Sequence, residues 1–431
     1  MANSYLNRTP SGDGNKRTFT FSTWLKISTI KEHMFFACGV NSSTSLMQFY
    51  LNANGTLTMS QETSGGSMQS NLTTTQVFRD TSAWYNFVMA IDTTQGTASN
   101  RVKLYVNGTQ VTSFSTETYP SQNTDFACNT SGVINTIGNR SGGSFYFDGY
   151  MSHVALVDGQ ALAPTVFGQT DSTSGIWQFK SPSGVTWGTN GFHLKFENSG
   201  ALGTDSSGNS NTFTVNGNLK QSLSTPSNIY VTMNPLDYWY RNPVLSIGNT
   251  KIVDTTGWSG ARGTFGFSTG KWYWEIKLTG SMDNHIHGVQ LVDVNTRTQD
   301  PQQITGTTVF YNHDGGEMRT DGTQTTADYG TFSSGDIMGV AVDMTAGSYG
   351  QITIYKNGSA IVSNFNLSSS STTIMPFSAV GNCTTEYNFG NGYFGTTAIT
   401  SAGSNGNGSL FEYDCPANHY ALNTKNINTY G

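Results

Sequence analysis

His285 and His287 stand two apart in HIHGVQL. On an extended strand both imidazoles leave the same face, which is half of what a zinc-type site needs, and no third ligand is visible in the sequence. The segment NHDGGEMRTDGTQTTAD (312–328) gathers His313, Asp314, Glu317, Arg319, Asp321 and Asp328. Calcium draws six to eight oxygens from polar loops, but this spacing fits no EF-hand, so no cofactor is expected and no calcium ligand is assigned. Retaining glycoside hydrolysis needs two carboxyls about 5–5.5 Å apart, as a Glu-x-Asp-x-Glu strand supplies. No such strand occurs, and Glu275 in WYWEIK has aromatic and apolar neighbours and no partner carboxylate. No G-x-S-x-G elbow or phosphate-binding loop is present. The expectation is a protein without catalytic residues. Tyr238, Trp239, Tyr240 and Trp258 lie in turn-rich segments. Aromatic faces of this kind stack on sugars, and equally Tyr and Trp seal junctions between domains, because they bury area while keeping a polar handle. With His313, Asp314, Arg319 and Asp321 they make up the candidate binding residues.

The elements that must position these groups are strands. In TFTFSTWLKIS (18–28) Phe19, Phe21, Leu25 and Ile27 share one face, and Thr20, Ser22, Trp24 and Lys26 the other. That alternation predicts a half-buried strand. AWYNFVMAID (83–92) and DIMGVAVDM (336–344) are apolar on both faces, as central strands are. KWYWEIKL (271–278) turns Trp272, Trp274, Ile276 and Leu278 to one side. Asn54-Gly55, Asn107-Gly108 and Asn357-Gly358 follow alternating segments and predict two-residue hairpins, whose central residues both need positive φ. Asp92 and Asp343 close the strands that precede the last two of these hairpins, so the two halves share a style of strand, turn, strand and hairpin. ALAPTVFGQ (161–169) predicts one short helical turn, and Asp205 in DSSGN an Asx-capped turn.

The composition agrees. Charged residues are only 11%, glycine stands at 49 against 10 prolines, and aromatics reach 12%, a profile of many short strands and tight turns rather than of disorder. With 431 residues, two domains are the expectation. A net charge of −6 with no basic run argues against nucleic acid as a partner. No apolar run is long enough to cross a membrane as a helix, and the N-terminus lacks the apolar stretch of a signal peptide, so neither membrane insertion nor standard export is expected. Cys38, Cys128, Cys383 and Cys415 form no CxxC pair and are expected as buried small hydrophobes, with a Cys383–Cys415 pairing left open.

FTFSTWLKIS (19–28), WYNFVMAID (84–92), RVKLYVNG (101–108) and FYFDGYMSHVALVDGQAL (145–162) resemble the laminin-G-like, or concanavalin A-like, sandwich. GTFGFSTGKWYWEIKL (263–278), SSGDIMGVAVDM (333–344), QITIYKNGSAI (351–361) and PFSAVGNCTTEYNFG (376–390) resemble a SPRY domain. Together with DSSGNSNTFTVNG (205–217), MNPLDYW (233–239) and ANHYALNTKNIN (417–428), they are similar to a family of tailed-bacteriophage virion proteins of marine-phage type. The resemblance implies an all-β chain of two jelly-roll-type antiparallel β-sandwiches in series. Residues 1–170 are expected as the first sandwich, 171–235 as a Ser/Gly/Asn-rich connector with short strands that could finish it, 236–395 as the SPRY-like sandwich and 396–431 as a tail. It further implies a non-enzymatic fibre, spike or capsid decoration on the virion, assembled in the host cytoplasm. Its expected partners are other virion proteins or a host surface glycan, and its expected state a homo-oligomer such as a trimer. The rival expectation is an enzyme acting on host polysaccharide.

Overall fold

The structure is a computed structural model that describes residues 3–40, 44–255, 257–282, 284–292, 308–367, 373–400, 402–404 and 408–431. The chain divides into two compact units, Met1–Gln221 and Ser222–Gly431. Both are almost entirely β, and each encloses its own hydrophobic core between two sheets.

In the first unit an eight-stranded sheet runs in the order Phe114–Thr118, Met68–Val77, Thr56–Glu62, Leu46–Leu51, His33–Cys38, Asn135–Ile137, Tyr5–Arg8, Thr214–Asn216. A six-stranded sheet runs Phe192–Leu194, Gly149–Asp158, Thr18–Ile27, Tyr85–Asp92, Val102–Val106, Thr109–Gln110. Phe19, Phe21, Leu25 and Ile27 face the core as the alternation requires, and Phe21 stacks on Phe36 at 4.5 Å. The other face of that strand was expected in water and is buried too. Residues 160–187 lie over it: the Thr20 hydroxyl donates to Gln160 O, Trp24 Nε1 to Phe167 O, and Phe167 packs with Val88, Ala155 and Val157. The expected helical turn is the 3₁₀ segment Pro164–Val166.

The stretch expected as a connector is shared out. Phe192–Leu194 completes one sheet of the first unit and Thr214–Asn216 the other, while residues from Ser222 onward belong to the second unit. Asp205 organises this end through Asx bonds, accepting from the backbone N–H of His193, Ser207 and Asn211 at 2.8–2.9 Å.

The second unit has a seven-stranded sheet in the order Met233–Trp239, Trp258–Gly263, Ile374–Gly381, His285–Leu291, Thr308–Asn312, Glu317–Thr320, Thr323–Gln324. The facing sheet runs Val244–Ser246, Lys251–Val253, Cys383–Asn388, Lys271–Gly280, Ile337–Asp343, Gln351–Lys356, Ser359–Asn366. Trp272, Trp274, Ile276 and Leu278 point into the core. Their strand pairs with Cys383–Asn388 only from Glu275 onward. Beside Trp272 and Tyr273 the place is taken by Tyr420–Ala421, which lies parallel to them. The segment expected as a free tail is thus part of the sandwich, and it ends in a short helix, Thr424–Tyr430, capped by the Asn423 side chain.

Asn107-Gly108 and Asn357-Gly358 both have positive φ at the two central residues and join Val106 to Thr109 and Lys356 to Ser359 directly, as expected. Asn54-Gly55 differs. Only Gly55 is left-handed, and the turn is the longer Asn52–Gly55, closed by Gly55 N–H to Asn52 O.

Candidate functional site

The expected aromatic residues sit at one edge of the seven-stranded sheet. Met233–Trp239 is its outermost strand, held by register pairs Tyr238–Ala261 and Trp239–Gly260. Asp237 clamps it in place by accepting two bonds of 2.8 Å from Arg262, whose remaining nitrogen donates to Leu291 O and Val292 O. Trp239 is only 2% exposed; with Trp258 it covers Ile286, Phe310, Phe377 and Ala379 on the outer face of the sheet. Tyr240 leaves the strand in a left-handed conformation, φ 57°, and stacks on Trp239 at 5.3 Å with half its surface open. The Arg241 guanidinium lies 5.4 Å from the Tyr240 ring centre. Leu236, on the same strand, is 47% exposed, and Val244, on the edge strand of the facing sheet, 65%. Of the four aromatic residues singled out in the sequence, Trp239 and Trp258 build a platform, Tyr238 is half-buried, and Tyr240 is presented to solvent.

The polar loop that supplied the other candidate residues is elsewhere. Asp314 is exposed in the turn before Glu317–Thr320, and Asp321, with φ 49°, lies in the turn after it, so the two carboxylates occupy opposite ends of one strand. Arg319 is committed to Glu317 Oε1 at 3.0 Å and to Gln324. His313 is 1% exposed and cannot meet a ligand at the surface. Strands of a sheet are spaced about 4.8 Å, and four strands separate Met233–Trp239 from Glu317–Thr320, so the groups lie roughly 24 Å apart across the sheet. The structure does not bring them into one site.

Glu275 is buried on the outer face of the Lys271–Gly280 strand, beneath residues 409–415. Its carboxylate accepts from the backbone N–H of Glu412 and Tyr413 at 2.8 Å each, from Asn388 Nδ2 at 3.2 Å and from the Tyr273 hydroxyl at 3.3 Å. Burial pushes the carboxyl up to about 7. Every one of these partners is a donor, so Glu275 works as the anchor of a strap of chain rather than as half of a catalytic pair. That role was hidden in the sequence, because the donors are backbone groups 137 and 138 residues away.

His285 and His287 do share a strand face, which is the inner one, and His313 joins them there. Burial holds His285 down at about 4 and keeps His287 and His313 well below the ordinary histidine range, so all three are neutral at physiological pH. Among the described residues no group of three His, Cys, Asp or Glu side chains already stands as a metal-binding set.

In the first unit an open cleft of about 570 Å³ is lined by Asp13, Lys16, Arg17, Asp125 and Asp158. Its carboxylates are engaged internally: Asp158 accepts from the N–H of Asn15 and Asn190 and from Asn129 Nδ2, and Asp13 from Ser131 N and Lys16. All four cysteines are free and buried, so the Cys383–Cys415 pairing does not form; Cys415 Sγ donates instead to His419 O at 3.2 Å.

Residues 2–166 match the sequence profile of the concanavalin A-like lectin/glucanases superfamily, and residues 271–392 match that of the SPRY domain. No curated protein matches the chain. Among solved structures, the SPRY domain of human HERC1 is 16% identical over 36% of this chain and 96% of that one, with a TM-score of 0.30. The heptameric SAP-like pentraxin from Limulus polyphemus is 18% identical over 37% and 71% of the respective chains, with a TM-score of 0.28. The carbohydrate-binding module CBM40 of the Ruminococcus gnavus IT-sialidase, bound to α2,3-sialyllactose, is 15% identical over 33% and 85%, with a TM-score of 0.24. The chain carries a concanavalin A-like domain and a SPRY domain in series, both β-sandwiches.

Proposed function

We propose, from a concanavalin A-like domain followed by a SPRY domain, that this chain is a non-enzymatic binding and structural protein of a phage particle surface: a fibre, a spike or a capsid decoration. The phage origin rests on the sequence resemblance alone. The binding role rests on one observation above all: Tyr240, half exposed, is held in a left-handed turn on the buried Trp239, with the Arg241 guanidinium 5.4 Å from its ring centre. An aromatic ring stacked on a buried partner with a guanidinium beside it is the kind of rim that carries binding energy at a protein contact or under a sugar ring. Among the described residues the Glu275 carboxylate is met by hydrogen-bond donors, and low charge suits recognition by hydrogen bonds and stacking.

Two measurements test this reading. An antibody against the chain should decorate purified virions, over the head for a decoration or at the tail for a fibre or spike. Tyr240→Ala should lower affinity for the virion partner or surface glycan at least about tenfold with an unchanged melting temperature, since aromatic anchors dominate such contacts. Absence from particles would remove the virion assignment, and release of sugar from polysaccharide by the purified chain would establish the enzymatic rival.

A further inference from the structure

Three imidazoles and a thiol meet inside the second sandwich. His285 and His287 leave the inner face of the His285–Leu291 strand, and His313 follows the Thr308–Asn312 strand paired to it. The three ring centres form a near-equilateral triangle of 5.5, 5.7 and 5.5 Å, and none of the three residues is more than 1% exposed. A tetrahedral ion with metal–nitrogen bonds of about 2.0–2.1 Å spaces its imidazole centres by about 5 Å and its ligand nitrogens by about 3.3 Å. His285 Nδ1 lies 3.3 Å from His287 Nε2. Cys383 Sγ, from the facing sheet, lies 3.7 Å from the same Nδ1, close to the nitrogen–sulfur edge of about 3.6 Å in such a tetrahedron. His287 Nδ1 is 2.8 Å from the Ser378 hydroxyl. A proton on that nitrogen leaves the Nε2 lone pair facing His285, and an outer partner of this kind orients a ligating histidine.

Protons alone do not satisfy the cluster. A neutral imidazole carries one N–H and one acceptor, and His285 Nδ1 has three polar neighbours, including Thr385 Oγ1 at 3.2 Å. Neither ring nitrogen of His313 has a hydrogen-bond partner among the described residues. Buried donors are rarely left without acceptors.

We propose that these side chains bind one divalent transition-metal ion of the zinc class, with His285 Nδ1, His287 Nε2 and Cys383 Sγ as ligands and His313 as the fourth. The groups are not a ready-made ligand set as they stand. The His313 ring, held by no hydrogen bond, turns about its Cβ–Cγ bond to aim a nitrogen at the others, and Thr385 gives up its contact with Nδ1. The Cys383 thiol passes its proton to solvent as the metal–sulfur bond forms, so binding releases one proton per ion. Imidazole and thiolate select zinc-type ions over calcium or magnesium.

The test uses the whole chain, produced with zinc in the medium, and measures metal content after purification. One zinc per chain is expected. Protein unfolded with chelator and refolded in cobalt(II) should show tetrahedral ligand-field bands with a thiolate charge-transfer band, and Cys383→Ser should remove the second while leaving the first. Ser378→Ala, which keeps the ligands, should weaken affinity about 10–100-fold. Wild-type protein that carries far less than one zinc per chain and shows no cobalt bands after refolding would overturn the proposal and leave a hydrated polar cluster. Zinc content of the never-unfolded protein decides the case if refolding fails.

Discussion

A carboxyl that anchors a strap of chain ties the second unit to pH in a particular direction. Folding raises Glu275 from its ordinary 4.5 to about 7 through burial. The folded unit therefore keeps a proton that the unfolded chain has lost, and this contribution is complete below about 4.5 and gone once pH has climbed past about 7. Stability of wild type minus that of Glu275→Gln, from denaturant melts of the second unit, should fall across that window by no more than about 1.4 kcal/mol per pH unit. A flat difference would show that the backbone donors of Glu412 and Tyr413 offset burial. The alanine variant should cost on the order of 3 kcal/mol, because it orphans those two N–H groups. At this scale the sequence was only partly legible. Tyr240 and the shared face of His285 and His287 could be read from residue type and spacing. The burial of Trp239 and the arrival of His313 depended on which strands become neighbours, and spacing along the chain does not encode that.

The two hairpins show which elements could be read and why. Asp92 and Asp343 each accept at Oδ1 from the N–H and hydroxyl of the threonine two residues on, at 2.6–3.1 Å. Asn107 and Asn357 each accept, through the side chain, from a backbone N–H at the start of a neighbouring strand, Asn86 and Ile337, at 2.8 Å. The same local grammar appears in both units because each step is set by neighbouring residues. The glycines carry a further, non-local duty. A Cβ on Gly108 would lie 2.5 Å from the Trp177 ring, and one on Gly358 2.7 Å from the Tyr413 ring, at φ of 80° and 82°. Gly108→Ala and Gly358→Ala should each destabilise their own unit by more than about 1 kcal/mol, combining a left-handed backbone with an overfilled contact. Thermal melts of the two variants, compared with Gly12→Ala, where the added carbon meets open space, would check this. The strand that escaped sequence reading, Tyr420–Ala421, is two residues long, too short for alternation to register.

For the molecule as a whole, the boundary near residue 221 and the incorporation of residues 396–431 make a sharp statement about fragments. Residues 222–431 should unfold in one cooperative transition. Residues 222–395 should not, since that cut removes Phe411, Cys415, Ala421 and Leu422, all buried, and bares Tyr273 and Glu275. Calorimetry of the two fragments, with proteolysis as a second probe, distinguishes these outcomes; a cooperative melt of the shorter piece would make the strap an accessory. The two-domain plan could be read because the alternating strands of each half are long and their turns local. The boundary could not, because residues 171–221 look polar along the chain while three of their apolar side chains, Phe192, Leu194 and Phe213, go into the first core.

Each unit is closed by its own extremities. Tyr5–Arg8 is flanked by Asn135–Ile137 and Thr214–Asn216, and residues 229–231 bond to Leu422 and Thr424 and bridge to Asn423. On the ribosome, where chains emerge from one end and domains fold as they appear, this sets a timetable. The opening strand of the first unit, and residues 229–231 of the second, must wait for a partner made some two hundred residues later, and the second unit stays ajar until its final strap has cleared the exit tunnel. Synthesis halted before residue 420 would leave a finished first domain tethered to an open sheet edge, a product that proteases recognise.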